Sequence, residues 1–221
     1  MQGQPPDLTW KDGDVPVATR FDDPYFSLQD GLAETRHVFL DGNDLPARFH
    51  PGFHIAELGF GTGLNLLTAW HAWRQAGIAG PLRFTTFEAF PMAPADVRRA
   101  RAAFPGLAAE IAALAPHLDA ARITLPGLEF RMVEGDARQT LPDWDGAADA
   151  WFLDGFSPAR NPELWEAPLL QAVHDHTAPG GTAATYTAAG FVRRGLAEAG
   201  FEVDRTPGYG RKRHMTRARR R

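Results

Sequence analysis

The chain is 221 residues long, the size of one large domain or of one domain with an extension. Its 44% hydrophobic and 23% charged residues exclude wholesale disorder, and the absence of cysteine excludes disulfides, thiolate metal sites, iron–sulfur clusters and a cysteine nucleophile. The net charge of −4 hides a segregation: residues 211–221 hold seven of the 23 basic residues and no acidic one, leaving 16 basic against 27 acidic residues, or −11, in the 210 before them.

The first 51 residues read as an extension. Its opening, MQGQPPDLTWKDGD, lacks the apolar stretch of a secretory signal, and no run approaches the roughly 18 apolar residues of a membrane helix. A soluble, cytoplasmic protein without a membrane partner is expected. Apolar runs at 15–18 and 38–40, separated by turns such as Asp41-Gly42-Asn43, mark the extension as β-containing. After Pro51-Gly52 the pattern becomes alternating. A strand at 53–58 ends in glycines, and a helix at 64–76 carries Leu67, Trp70 and Trp73 on one face before Gly77 stops it. A strand at 82–88, a helix at 94–104 with Pro in its first turn, helical residues at 107–118 and a strand at 129–133 follow. Next come a strand at 150–153, a helix at 163–176, a strand at 181–187 and a helix at 190–199. Segments 201–206 and 212–217 form a closing antiparallel pair. Such β/α alternation predicts a mostly parallel sheet with helices on both faces, and ligands then bind at the C-terminal strand ends.

Those ends carry the chemistry. The first strand of the alternation runs into Glu57-Leu58-Gly59-Phe60-Gly61-Thr62-Gly63 and straight into a helix. Glycines at alternate positions let the backbone turn sharply and let a ligand approach beside the positive end of a helix. Taken alone, this is a ligand cradle or a plain glycine-rich turn; its G-x-G-x-G spacing departs from the dinucleotide G-x-G-x-x-G. The next strand ends in Glu88, an acceptor-only group suited to both hydroxyls of a ribose. Asp136 and Asp154 end the two strands after that, so four acids including Glu57 stand at four consecutive strand ends. Singly, Asp136 also reads as a helix cap and Glu88 as a solvated strand end. Together the four outline a nucleoside pocket.

This combination resembles the class I S-adenosylmethionine-dependent methyltransferases. The resemblance implies a Rossmann-like, mostly parallel seven-stranded sheet with a C-terminal antiparallel strand and an N-terminal extension over 1–51, a catalytic domain over 52–218 and a basic tail at 219–221. It implies S-adenosylmethionine as cofactor, held by Glu57, Gly59, Phe60, Gly61, Gly63 and Asn65 on the methionine side, Glu88 at the ribose, and Asp136 with Ala137 at the adenine. An acidic pocket suits a cationic cofactor that has no phosphate.

Five motifs in order narrow the likeness: F-D-D-P-Y-F-S (21–27), G-L-A-E-T-R-x-V-F-L-x-G-N (31–43), E-L-G-F-G-T-G-L-N (57–65), D-G-F-S-P-A-R-N-P-x-x-W (154–165) and G-Y-G-R-K-R-x-M (208–215). They are similar to the methyltransferase half of the bifunctional MnmC-type enzymes that make 5-methylaminomethyl-2-thiouridine in tRNA. The resemblance covers about residues 15–218 and implies methylation of the aminomethyl group of wobble 5-aminomethyl-2-thiouridine. It implies no flavin in this chain, no metal, the tRNA anticodon stem-loop as partner, and a separate FAD-dependent oxidase acting upstream. Missing cysteine fits an amine acceptor, since alkylating carbon 5 of a pyrimidine usually needs a thiol adduct.

Asp154 is the candidate catalytic group, placed to orient the amine and take its proton; capping the turn or touching the cofactor is the other reading. Phe156 and Trp165 are candidates to stack on the splayed uracil, with loop packing equally open. Tyr25, Phe26 and Ser27 fold over the pocket or pack on the sheet edge, and Ser157 and Asn161 belong to the same acceptor loop. Arg160, Arg211, Lys212 and Arg213 are phosphate candidates, although charge on an edge strand also prevents aggregation. The eight histidines have no ligand spacing. A small-molecule or protein amine is the alternative acceptor; a non-catalytic RNA-binding module and a nucleotide-dependent oxidoreductase are the competing classes.

Overall fold

The computed structural model describes residues 5–11, 14–27 and 30–221. Residues 1–4, the start of the segment read above as lacking a secretory stretch, lie outside the described residues, as do 12–13 and 28–29 of the extension. Three short strands, β1 (Leu8–Lys11), β2 (Val15–Ala18) and β3 (Asp23–Pro24), form an antiparallel sheet of their own. Helix α1 (Gly31–Thr35) starts where the Asp30 carboxylate accepts the Ala33 N–H at 2.9 Å, and it widens into a π-helical turn over Arg36–Leu40. Residues 38–40 are therefore helical. Three apolar residues in a row do not separate a strand from a buried helical turn, and here all three side chains are buried against the main sheet.

The main sheet alternates with helices: β4 (His54–Leu58), α2 (Leu64–Ala76), β5 (Leu82–Glu88), α3 (Pro94–Arg101), α4 (Ala108–Leu114), β6 (Arg122–Leu125) and β7 (Leu128–Glu134). After these come α5 (Ala137–Thr140), β8 (Ala148–Leu153), α6 (Ala167–Asp175), β9 (Thr177–Thr185), α7 (Gly190–Glu198), β10 (Phe201–Pro207) and β11 (His214–Arg220). The spatial order is β10-β11-β9-β8-β4-β5-β7-β6, with β11 antiparallel to both neighbours and β9, β8, β4, β5 and β7 parallel. The expected seven-stranded arrangement is present, and β6 adds an eighth strand at one edge as a hairpin on β7. Only Ile123 of β6 is buried, so no run of apolar residues announced it.

Residues alternate between two cores. Ile55, Phe84, Phe130 and Phe152 face Leu67, Trp70 and Leu107, while Leu58, Phe87, Trp151 and Leu153 face Leu141, Leu169, Val173 and Leu196. Parallel strands covered on both faces bury nearly every side chain, as β4 does. The extension is fastened to this sheet by the fully buried Asn43, which donates to the Phe39 carbonyl (2.9 Å) and accepts from the Thr182 hydroxyl (2.6 Å).

Further element boundaries differ from expectation, among them β9, which runs over Thr177–Thr185 where 181–187 was expected. The helix expected over 163–176 is a 3-10 turn, Pro162–Trp165, followed by a break at Glu166 (ψ 145°) and then α6, because Pro168 fits only in a first turn. Helix α3 ends at Arg101, short of residue 104. Arg219 and Arg220 are not a tail but complete β11, where Arg220 donates to the carbonyls of His174 (3.1 Å) and Asp175 (3.3 Å) at the end of α6. No helix among the described residues is long and apolar enough to cross a membrane.

Candidate active site

A cavity of about 1210 Å³ opens over the C-terminal ends of β4, β5, β7 and β8, roofed by the extension and by the turn between β10 and β11. The glycine turn forms its floor. Gly59 (φ 83°) donates its N–H to the Phe87 carbonyl at 2.9 Å, and any Cβ there would run into the Asp154 carbonyl. Gly61 (φ 53°) lies so close beneath Tyr25 that a Cβ would sit 2.8 Å from its ring. Both positions demand glycine for conformation and for space.

The acids at the strand ends take different parts. Glu88 binds the glycine turn itself, accepting the N–H groups of Phe60 (2.8 Å) and Gly61 (3.1 Å) on one oxygen and that of Phe90 (2.7 Å) on the other. Asp136 is the N-cap of α5, accepting the Arg138 N–H at 3.0 Å, and both its oxygens are held by the Arg138 guanidinium. That guanidinium keeps its carboxyl below the ordinary aspartate range. The helix-cap alternative is thus what the fold displays, with Asp136 still on the cavity wall.

Glu57 and Asp154 form a linked pair. One side-chain amide, Asn65 Nδ2, donates to Glu57 Oε1 at 2.8 Å and to Asp154 Oδ2 at 2.6 Å, so both of its hydrogens are used and its orientation is fixed. Glu57 also accepts the Thr86 hydroxyl at 2.8 Å. Glu57 is fully buried behind Asn65 and does not reach the cavity. Burial pushes its carboxyl well above the usual range, with the Asp154 charge adding to the effect. Asp154 does face the cavity, but protein encloses its carboxyl, and burial pushes it up to about 7 against the Asn65 hydrogen bond; the Glu34 charge also raises it and the Lys212 charge opposes. A carboxyl that titrates near neutrality is suited to exchanging a proton with an amine.

Around Asp154 stand aromatic rings. Phe156 stacks on Phe21 (centroids 4.6 Å) and meets Tyr25 edge-on (5.1 Å), and Tyr186 at the end of β9 donates its hydroxyl to the Gly155 carbonyl at 2.7 Å. Phe26 packs edge-on against Phe104 at 5.0 Å. Asp23 accepts the Ser157 N–H at 2.9 Å and so pins the acceptor loop to the extension.

Of the residues singled out from sequence, Tyr25, Phe26, Ser27, Gly59, Phe60, Gly61, Asn65, Glu88, Asp136, Ala137, Asp154, Phe156, Ser157, Asn161, Arg211 and Lys212 line this one cavity. Glu57, Gly63, Arg160, Trp165 and Arg213 do not. Gly63 caps α2 against Phe60 and Arg101. Trp165 is 3% exposed and its indole N–H donates to the Phe156 carbonyl at 3.0 Å, so it supports the acceptor loop from below and cannot stack on a base. Arg160 is turned to Asp22 (2.7 Å) and the Phe21 carbonyl (3.1 Å). Arg211, Lys212 and Arg213 are all exposed; Lys212 is paired with Glu34 at 2.7 Å, while Arg211 and Arg213 have no ion-pair partner among the described residues. Tyr186, Glu34, Asp23 and Arg101 were not foreseen. Tyr186 was accessible, since it closes a parallel strand where ligands bind. Arg101, buried and lowered to about 10 by that burial, donates Nε–H to the Thr62 carbonyl at 2.8 Å and braces the glycine turn.

The profile of an S-adenosyl-L-methionine-dependent methyltransferase family matches residues 101–221, more than half of the chain. The chain belongs to that family. It is 46% identical over 226 residues to the tRNA 5-methylaminomethyl-2-thiouridine biosynthesis bifunctional protein MnmC of Caulobacter sp. (strain K31), covering 96% of this chain and 38% of that protein. Against the MnmC of Pseudomonas aeruginosa (strain UCBPP-PA14) it is 46% identical over 221 residues, 94% of this chain and 34% of the relative. The chain therefore spans little more than a third of the curated relatives it matches. The crystal structure of MNMC2 from Aquifex aeolicus superposes with a TM-score of 0.75 at 25% identity, covering 99% of this chain and 70% of that one. Among the described residues no group of three or more potential ligands is placed to hold a metal ion.

Proposed function

We propose that the protein methylates the aminomethyl nitrogen of 5-aminomethyl-2-thiouridine at the tRNA wobble position, with the anticodon stem-loop as its macromolecular partner, in the cytoplasm. The observation that carries this is the Asp154 carboxyl, held by Asn65 in a cavity whose walls are the aromatic rings of Phe156, Tyr25 and Tyr186. The relatives named for 5-methylaminomethyl-2-thiouridine biosynthesis in tRNA match almost the whole chain and support this choice of acceptor. Their bifunctional naming leaves the amine to be supplied by another step, for which an FAD-dependent oxidase is the partner we propose.

The residues present fit S-adenosylmethionine: the glycine turn leaves room that a Cβ would fill, and the cavity wall is acidic, as a phosphate-free cation requires. Once bound, that cofactor supplies an electrophilic methyl group on a sulfonium. Gly59, Phe60, Gly61 and Asn65 would face its methionine part, Glu88 the ribose through the one lone pair left free on Oε1, and Ala137 with the Asp136 wall the adenine. An alkyl ammonium, with a pKa of about 10 like lysine, is almost entirely charged at neutral pH and has no lone pair to attack with. Ionised Asp154 accepts a hydrogen bond from this ammonium and removes one proton, leaving the neutral amine aligned for attack. Methylation restores a cationic nitrogen, which stays charged at neutral pH, and the proton held by Asp154 leaves to water, regenerating the carboxylate. Phe156, with Phe21 and Tyr25 behind it, would hold the uracil ring, and exposed Arg211 and Arg213 would meet phosphates.

Incubation of the protein and S-adenosylmethionine with tRNA bearing 5-aminomethyl-2-thiouridine, followed by nucleoside mass analysis, tests this. One added methyl on that nucleoside is expected; none, with a competent methyl donor bound, contradicts the proposal.

A further inference from the structure

Lys212 has a half-exposed side chain, yet its ammonium is turned to the cavity wall and engaged there. Its Nζ lies 2.7 Å from Glu34 Oε1 and 4.1 Å from the centroid of the Tyr186 ring. Glu34 belongs to α1, Tyr186 to the end of β9 and Lys212 to the turn before β11, so three distant segments converge on one ammonium group. Tyr186 is fixed as a wall by its bond to Gly155, the residue after Asp154. Glu34, Tyr186, Lys212 and Asp154 all line the same cavity.

A carboxylate on one side and an aromatic face on the other make a receptor for a primary ammonium. The side chain of lysine is a methylene-linked ammonium, and so is the reactive arm of the acceptor in the proposed function. We infer that Glu34 and Tyr186 form the cage that receives the acceptor's ammonium, and that Lys212 occupies this cage in the free protein and is displaced by the incoming nucleotide. The inference rests on the proposed function and names the acceptor's recognition site within it. Exchange is feasible because Glu34 is only 15% exposed whereas the Lys212 side chain is 46% exposed and has a flexible four-carbon stem. Glu34 then selects a cation, and Asp154 deprotonates it. Displaced Lys212 would add its charge to the exposed Arg211 and Arg213 beside it, which couples docking of the phosphates to filling of the cage.

A purely structural ion pair joining the β10–β11 turn to α1 makes a different prediction. The test compares affinities for two anticodon stem-loops identical except at the wobble uridine, one with 5-aminomethyl and the other with 5-hydroxymethyl, so that phosphate contacts cancel in the ratio. In Lys212→Met the preference for the amine should rise by up to about tenfold, because the internal competitor is gone. In Glu34→Gln it should fall by about tenfold toward no preference. S-adenosylmethionine affinity, measured in parallel, should stay within a few-fold in both and reports that each variant is folded. A preference unchanged in both variants overturns the cage. If the wild-type protein prefers and methylates neither stem-loop, the proposed function fails instead, so the two failures are distinguishable.

Discussion

The two walls of the cavity are held in different ways. The strand-end wall is locked by the sheet: the Asp154 N–H donates to the Leu58 carbonyl at 3.1 Å, Gly59 to Phe87, and Asn65 joins two carboxyls behind the surface. The opposite wall is assembled from the extension and the β10–β11 turn by polar pairs near the surface, Asp23 with Ser157, Asp22 with Arg160 and Glu34 with Lys212. Groups that must be placed to fractions of an ångström sit on the wall fixed by the sheet, and the wall that a large partner would meet is joined by a few side-chain pairs.

This contrast can be broken from the rigid side first. Asp154→Asn keeps the shape and the Asn65 hydrogen bond but removes the proton acceptor; its turnover should fall about 10²- to 10⁴-fold with S-adenosylmethionine affinity nearly unchanged, as single-turnover rates and cofactor titration would show. An equally low KM and turnover near wild type would assign proton removal elsewhere. On the opposite side, Phe156→Ala removes a ring from the stack with Phe21 and Tyr25 and should weaken stem-loop binding by about 1–3 kcal/mol, read as a rise in KM at constant kcat.

The pH dependence separates the walls further. Because burial raises Asp154 to about 7, the carboxyl must be ionised to act, so wild-type turnover should climb as pH rises to about 7 and level off above it. Stability has the opposite sign. Between the unfolded value near 4 and the folded value near 7 the native state binds the extra proton, so ionising Asp154 costs stability as pH rises through that window. Asp154→Asn should therefore melt a few degrees higher than wild type at pH 8 and at the same temperature near pH 4. The smallest effect is expected for Arg160→Ala: its partner is an exposed aspartate, and solvent screens a surface pair of this kind, so the melting temperature should barely move.

The strand-end wall was legible in the sequence because its signals are local. A glycine turn between a strand and a helix, and an acid where a strand stops, follow from neighbouring residues. Even so, local spacing did not reveal that Glu57 would be sealed behind Asn65, or that Arg138 would claim Asp136. The opposite wall was harder to read, since Glu34 meets Lys212 across 178 positions and Asp23 meets Ser157 across 134. No periodicity encodes such a meeting. Trp165 misled for a related reason: an aromatic in an acceptor loop looks the same whether it faces the ligand or supports the loop from beneath, and only its bond to the Phe156 carbonyl decides. Strand β6 escaped notice because a lone buried Ile123 on an edge strand leaves no pattern.

The central claim is that this cavity selects and deprotonates an amine on a uridine. The most direct measurement is methyl transfer from labelled S-adenosylmethionine to an equimolar mixture of anticodon stem-loops carrying 5-aminomethyl-2-thiouridine and 5-hydroxymethyl-2-thiouridine at the wobble position, separated afterwards by mass. Label confined to the aminomethyl stem-loop, and abolished by Asp154→Asn, is the predicted result; label on both, or on neither, would contradict the account.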